Sequence, residues 1–274
     1  MANKRRLRSA AELPLCVLTI AGSDSGAGAG LQADARTIQA LGGYAVMAVT
    51  AVTAQALRGV TKWKPMPSGL LAAQIRAVMA DFPVASIKTG LIPNPASVKA
   101  IARELRGFPR RHLVIDPVIG ATSGTRFLSS AGLRALRRDL FPLASLVTPN
   151  WPEAEALSGR KVRTEADAAA AARQLAADSG CAFLVKGGHG QGPRCRDCLA
   201  TADGRMRWFD SPRIATPNTH GTGCVLSAAI AFELACGKEM ETAVAGARQF
   251  LIRSLGRDRY RRWGQGAGPA FAGG

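Results

Sequence analysis

Aromatic residues make up only 5% of this 274-residue chain, with two tyrosines and four tryptophans. Stacking of unpaired bases needs such rings, so the chain is poorly equipped as a single-strand nucleic-acid platform. Histidine is scarce too, at three residues. The six cysteines (16, 181, 195, 198, 224 and 236) contain one C-x-x-C pair, Cys195 and Cys198. A structural zinc site needs four ligands. With neither a second pair nor paired histidines, the motif reads as coincidence and the cysteines as reduced cytosolic thiols. No apolar run is long enough to span a bilayer as a helix. Residues 1–13 are basic and lack the apolar stretch of a signal peptide; they are expected to form a disordered lead-in outside the fold. There is no internal repeat and no linker long enough to separate domains. One domain is expected over 14–268, with 269–274 as a tail.

Acidic residues are in deficit as well: 19 against 36 lysines and arginines, a net charge of +17. The arginines are spread widely, with local concentrations at 4–8, 134–138 and 257–262. This reads as a solvated basic surface that draws anionic substrates. The rival reading is a basic nucleic-acid-binding protein without catalysis.

What the chain does have is a repeated alternation of short apolar runs and helical patterns. Strands are expected near 15–21, 45–52, 84–88, 112–118, 146–148 and 182–186, and helices near 31–41, 70–79, 96–106, 130–139, 164–178 and 240–255. An antiparallel ribbon is expected around Asp203-Gly204. Such alternation implies an α/β fold with a mostly parallel sheet and helices on both faces.

The stretch Asn218-Thr219-His220-Gly221-Thr222-Gly223-Cys224 precedes an alanine-rich helical segment. A glycine turn opening into a helix presents free N–H groups at the positive end of the dipole, a site for an anion. It reads also as a plain loop before a packing helix. Cys224 would sit in the first helical turn, where a thiolate is favoured. A second glycine-rich loop, 22–30, follows the first strand. It misses the last glycine of a dinucleotide fingerprint, and no acid follows in the expected place.

Polar residues gather just past strand ends, where α/β proteins bind ligands. Gln55 can read a heterocycle or face solvent. Asp116 can serve a site or cap a turn. Asn150 and Glu153 leave one strand end together, and Glu153 can serve a site or stand simply as a first-turn helix acid. Lys186, ahead of two glycines, suits a phosphate.

Seven stretches taken in order resemble the ribokinase-like superfamily, and within it the bacterial hydroxymethylpyrimidine/phosphomethylpyrimidine kinases of thiamine biosynthesis. They are residues 19–34, 50–55, 88–91, 116–119, 148–154, 185–189 and 218–224. The resemblance implies a three-layer sandwich and a cytoplasmic, ATP- and Mg2+-dependent kinase acting on a small aminopyrimidine. It calls for no membrane or specific nucleic acid and leaves a homodimer open. A pyridoxine or pyridoxal kinase of the same superfamily is the nearest rival. In the implied site, Gly221, Thr222 and Gly223 form the anion hole, Cys224 stands where related sugar kinases carry an aspartate base, and Lys186 neutralises phosphate charge. Glu153, Asn150 and Asp116 organise magnesium. Gln55 and Asp34, with backbone near Gly22, hold the pyrimidine, while Leu91 and Val118 line the pocket. The chain departs from the family at Lys88-Thr89-Gly90-Leu91, and at Ala121-Thr122-Ser123 where a lysine is usual.

Overall fold

A computed structural model describes residues 14–107, 112–120, 124–271 and 273. The lead-in at 1–13 and the loop at 121–123 lie outside the described residues.

The apolar runs form the middle of a nine-stranded sheet in the order β3-β2-β1-β4-β5-β6-β7-β8-β9. Its parallel centre consists of β2 (Tyr44–Ala56), β1 (Cys16–Asp24), β4 (Val84–Thr89), β5 (His112–Ile115), β6 (Leu146–Val147) and β7 (Ala182–Val185). Antiparallel edges are added by β3 (Gly59–Pro65) on one side and by β8 (Arg194–Ala200) and β9 (Met206–Pro212) on the other. The ribbon expected around Asp203-Gly204 is β8–β9, whereas β3 has no counterpart among the expected strands. Its mix of Lys62, Trp63, Lys64 and Pro65 lacks a clean apolar alternation, because none of the residues of this edge strand is fully buried.

Continuous apolar runs such as Val17-Leu18 and Val114-Ile115 reflect burial on both faces. One core layer holds α2 (Ser68–Asp81), α3 (Pro95–Arg106), α4 (Ser130–Ala135), α5 (Trp151–Ser158) and α6 (Glu165–Ser179). The opposite layer holds α1 (Gly30–Ala40), α7 (Thr222–Ala235) and α8 (Met240–Arg257). This is the three-layer sandwich implied by the resemblance. Fully burying a leucine such as Leu18 contributes about 1.5–3 kcal/mol. Phe141 and Phe183 meet edge-to-face at 5.5 Å, worth about 0.5–1.5 kcal/mol more.

Two boundaries differ from expectation. The helix expected at 130–139 is α4 followed by a π-helical turn at Leu136–Leu140. The tail expected from 269 is packed into the fold. Ala270 and Phe271 are buried, and Phe271 meets Phe250 at 5.2 Å. Backbone bonds from His220 to Gly268 and from Ala270 to His220 bind this segment beside the glycine turn.

Candidate active site

Parallel strands bring their C-terminal ends to one edge of the sheet, and the expected site residues gather there. The glycine turn is seated at the start of α7, with Gly221 at the N-cap in the left-handed region (φ 80°). A side chain at Gly221 would collide with the carbonyl of Gly28, so both glycine-rich loops interlock only without one. Thr222, Gly223 and Cys224 form the first turn of α7, and among the described residues no side chain caps it. A Cβ on Gly223 would lie 3.1 Å from Lys186 Nζ and 3.2 Å from Asp116 Oδ2. The anion-binding turn, the lysine and the aspartate therefore share one space.

Lys186 Nζ donates to Asp116 Oδ1 at 2.7 Å and lies 3.9 Å from Glu153 Oε2. Burial opposes the ammonium charge, yet Asp116 and Glu153 outweigh it and raise the Lys186 pKa. Asn150 and Glu153 form a reciprocal cap on α5: Glu153 N–H donates to Asn150 Oδ1 at 2.9 Å, and Asn150 N–H donates to Glu153 Oε2 at 2.8 Å. Glu153 is thus the first-turn helix acid that the sequence allowed, and its carboxylate also faces Lys186. Of the three expected metal residues, Asp116 and Glu153 turn their carboxylates toward Lys186, while the Asn150 oxygen and Glu153 Oε2 also serve the cap. Two carboxylates facing the Lys186 ammonium would suit a hard divalent ion that keeps most of its waters.

Burial pushes the Glu153 carboxyl up to about 7 against the pull of Lys186. The folded chain then holds a proton there that the unfolded chain releases near pH 4.3, so this group costs stability as pH rises from about 4.3 to about 7. Glu153→Gln removes that dependence. Its melting temperature relative to wild type should be higher at pH 8 than at pH 5.5. A difference that stays constant, or falls with pH, would show that Glu153 ionises without penalty.

Asp34 is the clearest correction. The resemblance sets it against the pyrimidine, but it is fully buried on α1 and its carboxylate is already occupied. Lys88 Nζ donates to both of its oxygens, at 2.9 and 2.8 Å, and Thr19 Oγ1 donates to Oδ2. Lys88 is fully buried too. Burial opposes its charge, but the facing Asp34 prevails and its pKa is raised. Stripping one partner from such a pair costs about 3–5 kcal/mol. The pair therefore forms a charged floor under the site rather than a stretch of its wall. A Cβ on Gly90 would lie 2.9 Å from Lys88 Nζ, which is why glycine follows Thr89.

Cys224 also differs from expectation. Burial pushes its thiol up to about 11, although Lys88 and an N–H bond from Gly30 pull the other way. The strongest cationic influence on it is Lys88.

A small apolar patch adjoins Gly22, at the end of β1. Ala51, Leu91 and Phe127 are buried in it, and Val60, Trp63 and Val118 pack against it. A Cβ on Gly22 would lie 3.5 Å from Leu91 Cδ1. The expected pocket residues Gly22, Leu91 and Val118 are thus brought together, and the unforeseen β3 supplies Trp63. Gln55 stands at the end of β2, half-buried, with Nε2 placed 3.2 Å from His220 Nε2.

Asp24, His220 and the role of Lys88 do not emerge from the sequence. Asp24 accepts N–H bonds from Gly26, Gly28 and Ala29, and His220 lies 3.0 Å from its Oδ2. An acid followed by glycines is a turn signal, and for Asp24 that signal is present.

The sequence profile of the phosphomethylpyrimidine kinase family matches residues 24–270. A hydroxymethylpyrimidine/phosphomethylpyrimidine kinase of Haemophilus influenzae is 42% identical over 256 residues, covering 92% of this chain and 94% of that protein. The crystal structure of a phosphomethylpyrimidine kinase from Clostridium difficile superposes with a TM-score of 0.77 at 33% identity, covering 88% of this chain and 99% of that one. A pyridoxal kinase from Staphylococcus aureus, in complex with AMP-PCP and pyridoxal, superposes with a TM-score of 0.84 at 28% identity, covering 93% and 92%. This chain, with its glycine turn, paired carboxylates and strand-end lysine, belongs to the phosphomethylpyrimidine kinase family.

Proposed function

We propose that the chain transfers a phosphoryl group from ATP to the hydroxymethyl oxygen of 4-amino-5-hydroxymethyl-2-methylpyrimidine, and then a second one to the resulting monophosphate. The observation that carries this reading is the shared space of Gly223, Lys186 and Asp116, near an apolar patch suited to a flat ring. Phosphoryl transfer depends on in-line placement and on charge stabilisation. The N–H groups of Gly221, Thr222 and Gly223 stabilise charge on the transferred group. Lys186, released from Asp116, follows the phosphate oxygens. Leu91, Val118 and Trp63 enclose the ring and exclude water. Asp116 and Glu153 would hold magnesium, whose chemistry is to neutralise phosphate charge. Cys224 faces the acceptor oxygen.

ATP consumption against a panel of hydroxymethylpyrimidine, its monophosphate, pyridoxine and pyridoxal tests the reading. Turnover on both pyrimidines, with at least tenfold lower kcat/KM on the pyridines, is expected. The likeness to a pyridoxal kinase makes the reverse order the informative failure. Within that assay, Gln55→Ala should weaken pyrimidine binding by about 1–3 kcal/mol by leaving ring polar groups unpaired. Its KM for ATP should stay within about threefold, a difference of about 0.65 kcal/mol. Equal weakening of both ligands would remove Gln55 from the ring.

A further inference from the structure

His220 is one of three histidines in the chain, and it lies where both glycine-rich loops and the end of β2 meet. Its backbone is fixed on both sides by the bonds to Gly268 and Ala270. Its ring rests on Gly28, where any Cβ would collide with it. The ring position is therefore set by packing. One nitrogen, Nε2, faces two groups: Asp24 Oδ2 at 3.0 Å and the Gln55 amide at 3.2 Å.

These contacts decide each other. A carboxylate only accepts, so the proton must lie on His220 Nε2 for that contact to be attractive. Burial works against the Asp24 charge, but the bonds from His220, Ala29 and Gly26 prevail and lower its pKa, so it is an ionised acceptor. An Nε2–H cannot also receive an N–H from Gln55. The amide group facing it must be the oxygen, whichever way round the two amide atoms are drawn. The amide NH2 then faces Thr53, whose hydroxyl donates to Ser23 O at 2.9 Å and so has a lone pair to offer Gln55. One N–H of the amide is left over.

We propose that His220, held by Asp24, is a specificity-determining residue: it fixes the Gln55 amide with its oxygen toward the imidazole and its NH2 available to donate to a ring nitrogen of the substrate. The proposal rests on the reading that Gln55 faces the ring. It implies that the turn carrying the anion hole and the residue reading the ring are one rigid unit. It also implies recognition by polarity: a ring presenting a C–H where the pyrimidine has its nitrogen leaves the amide donor unpaired.

Two measurements test it. The first is the tautomer of His220 in the intact enzyme, read from long-range proton–nitrogen correlations in a sample labelled with nitrogen-15 histidine. A proton on Nε2 is expected; a neutral ring protonated only on Nδ1 overturns the proposal. The second is calorimetric binding of the pyrimidine and of its analogue with C–H in place of the ring nitrogen next to the amino-bearing carbon. Wild type should prefer the pyrimidine by at least tenfold. His220→Ala should lose most of that preference, and His220→Gln, which restores an N–H donor at the place of Nε2, should recover it. Preference unchanged in His220→Ala overturns the proposal. If Gln55→Ala leaves both pyrimidine binding and this preference untouched, the placement of Gln55 fails instead, and the tautomer result separates the two outcomes.

Discussion

Lys186→Ala is expected to lower kcat by about 10^2–10^3-fold, the range seen when one stabilising donor is taken from a charged transition state. The ammonium lies against Asp116 and close enough to Gly223 that a Cβ there would be 3.1 Å from it, which places it beside the anion-binding turn. Lys186→Arg should not restore the activity. A guanidinium is wider than an ammonium and would crowd Gly223, where a Cβ alone would lie 3.1 Å from Nζ. The loss has a second signature. Burial already pushes the Glu153 carboxyl up to about 7, and Lys186 is the leading influence holding it down. Without that ammonium the carboxyl rises further, and the acidic limb of the kcat/KM profile should move to higher pH. Steady-state kinetics between pH 6 and 9 measure both effects. A loss under tenfold with an unmoved limb would show that Lys186 only balances Asp116 and Glu153.

The gathering of the site at one sheet edge is legible in the sequence because each of its components ends a strand or opens a helix, and both events leave local marks. Lys186 before two glycines and the turn Gly221–Gly223 before an alanine-rich helix are signals contained within a few residues. Asp34 leaves no such mark. On α1 it reads as an ordinary helical acid; only packing against β1 and β4 reveals Thr19 and Lys88 as its partners. Lys88 is equally opaque, since a lysine ending a buried strand usually reaches solvent. Phe271 looks like tail because its partner Phe250 lies on α8, and nothing local records that contact. The charge of +17 is legible as surface. Pairs such as Arg194–Asp210 and Arg207–Glu241 are solvent-facing, and such pairs contribute about 0–1 kcal/mol each.

The helix position of Cys224 is also legible in the sequence, but its protonation is not, and the difference changes what the residue can do. A helix N-terminus alone favours a thiolate. In the folded chain burial outweighs that effect and the thiol is pushed up to about 11, so it carries its proton at neutral pH. To accept a proton from the hydroxymethyl oxygen it must first lose its own. The rate of the first phosphorylation should therefore climb with pH, by close to tenfold per unit, up to the point where other groups titrate. The second acceptor is a phosphate monoester with a second pKa near 6, ionised at neutral pH and in little need of a base. Cys224→Ala should slow the first phosphorylation by about 10^2-fold, at the lower end of general-base effects, and abolish its climb with pH. The second should change by less than about threefold, a difference of about 0.65 kcal/mol, because the N–H groups of Gly221 to Gly223 stay in place. Cys224→Asp puts an ionised acceptor at the same site; it should recover some of the first activity and flatten the pH dependence. Single-turnover rates on both substrates between pH 6.5 and 9 distinguish these outcomes. Equal losses on the two acceptors would leave Cys224 a packing residue, with the proton leaving the hydroxymethyl oxygen by another route.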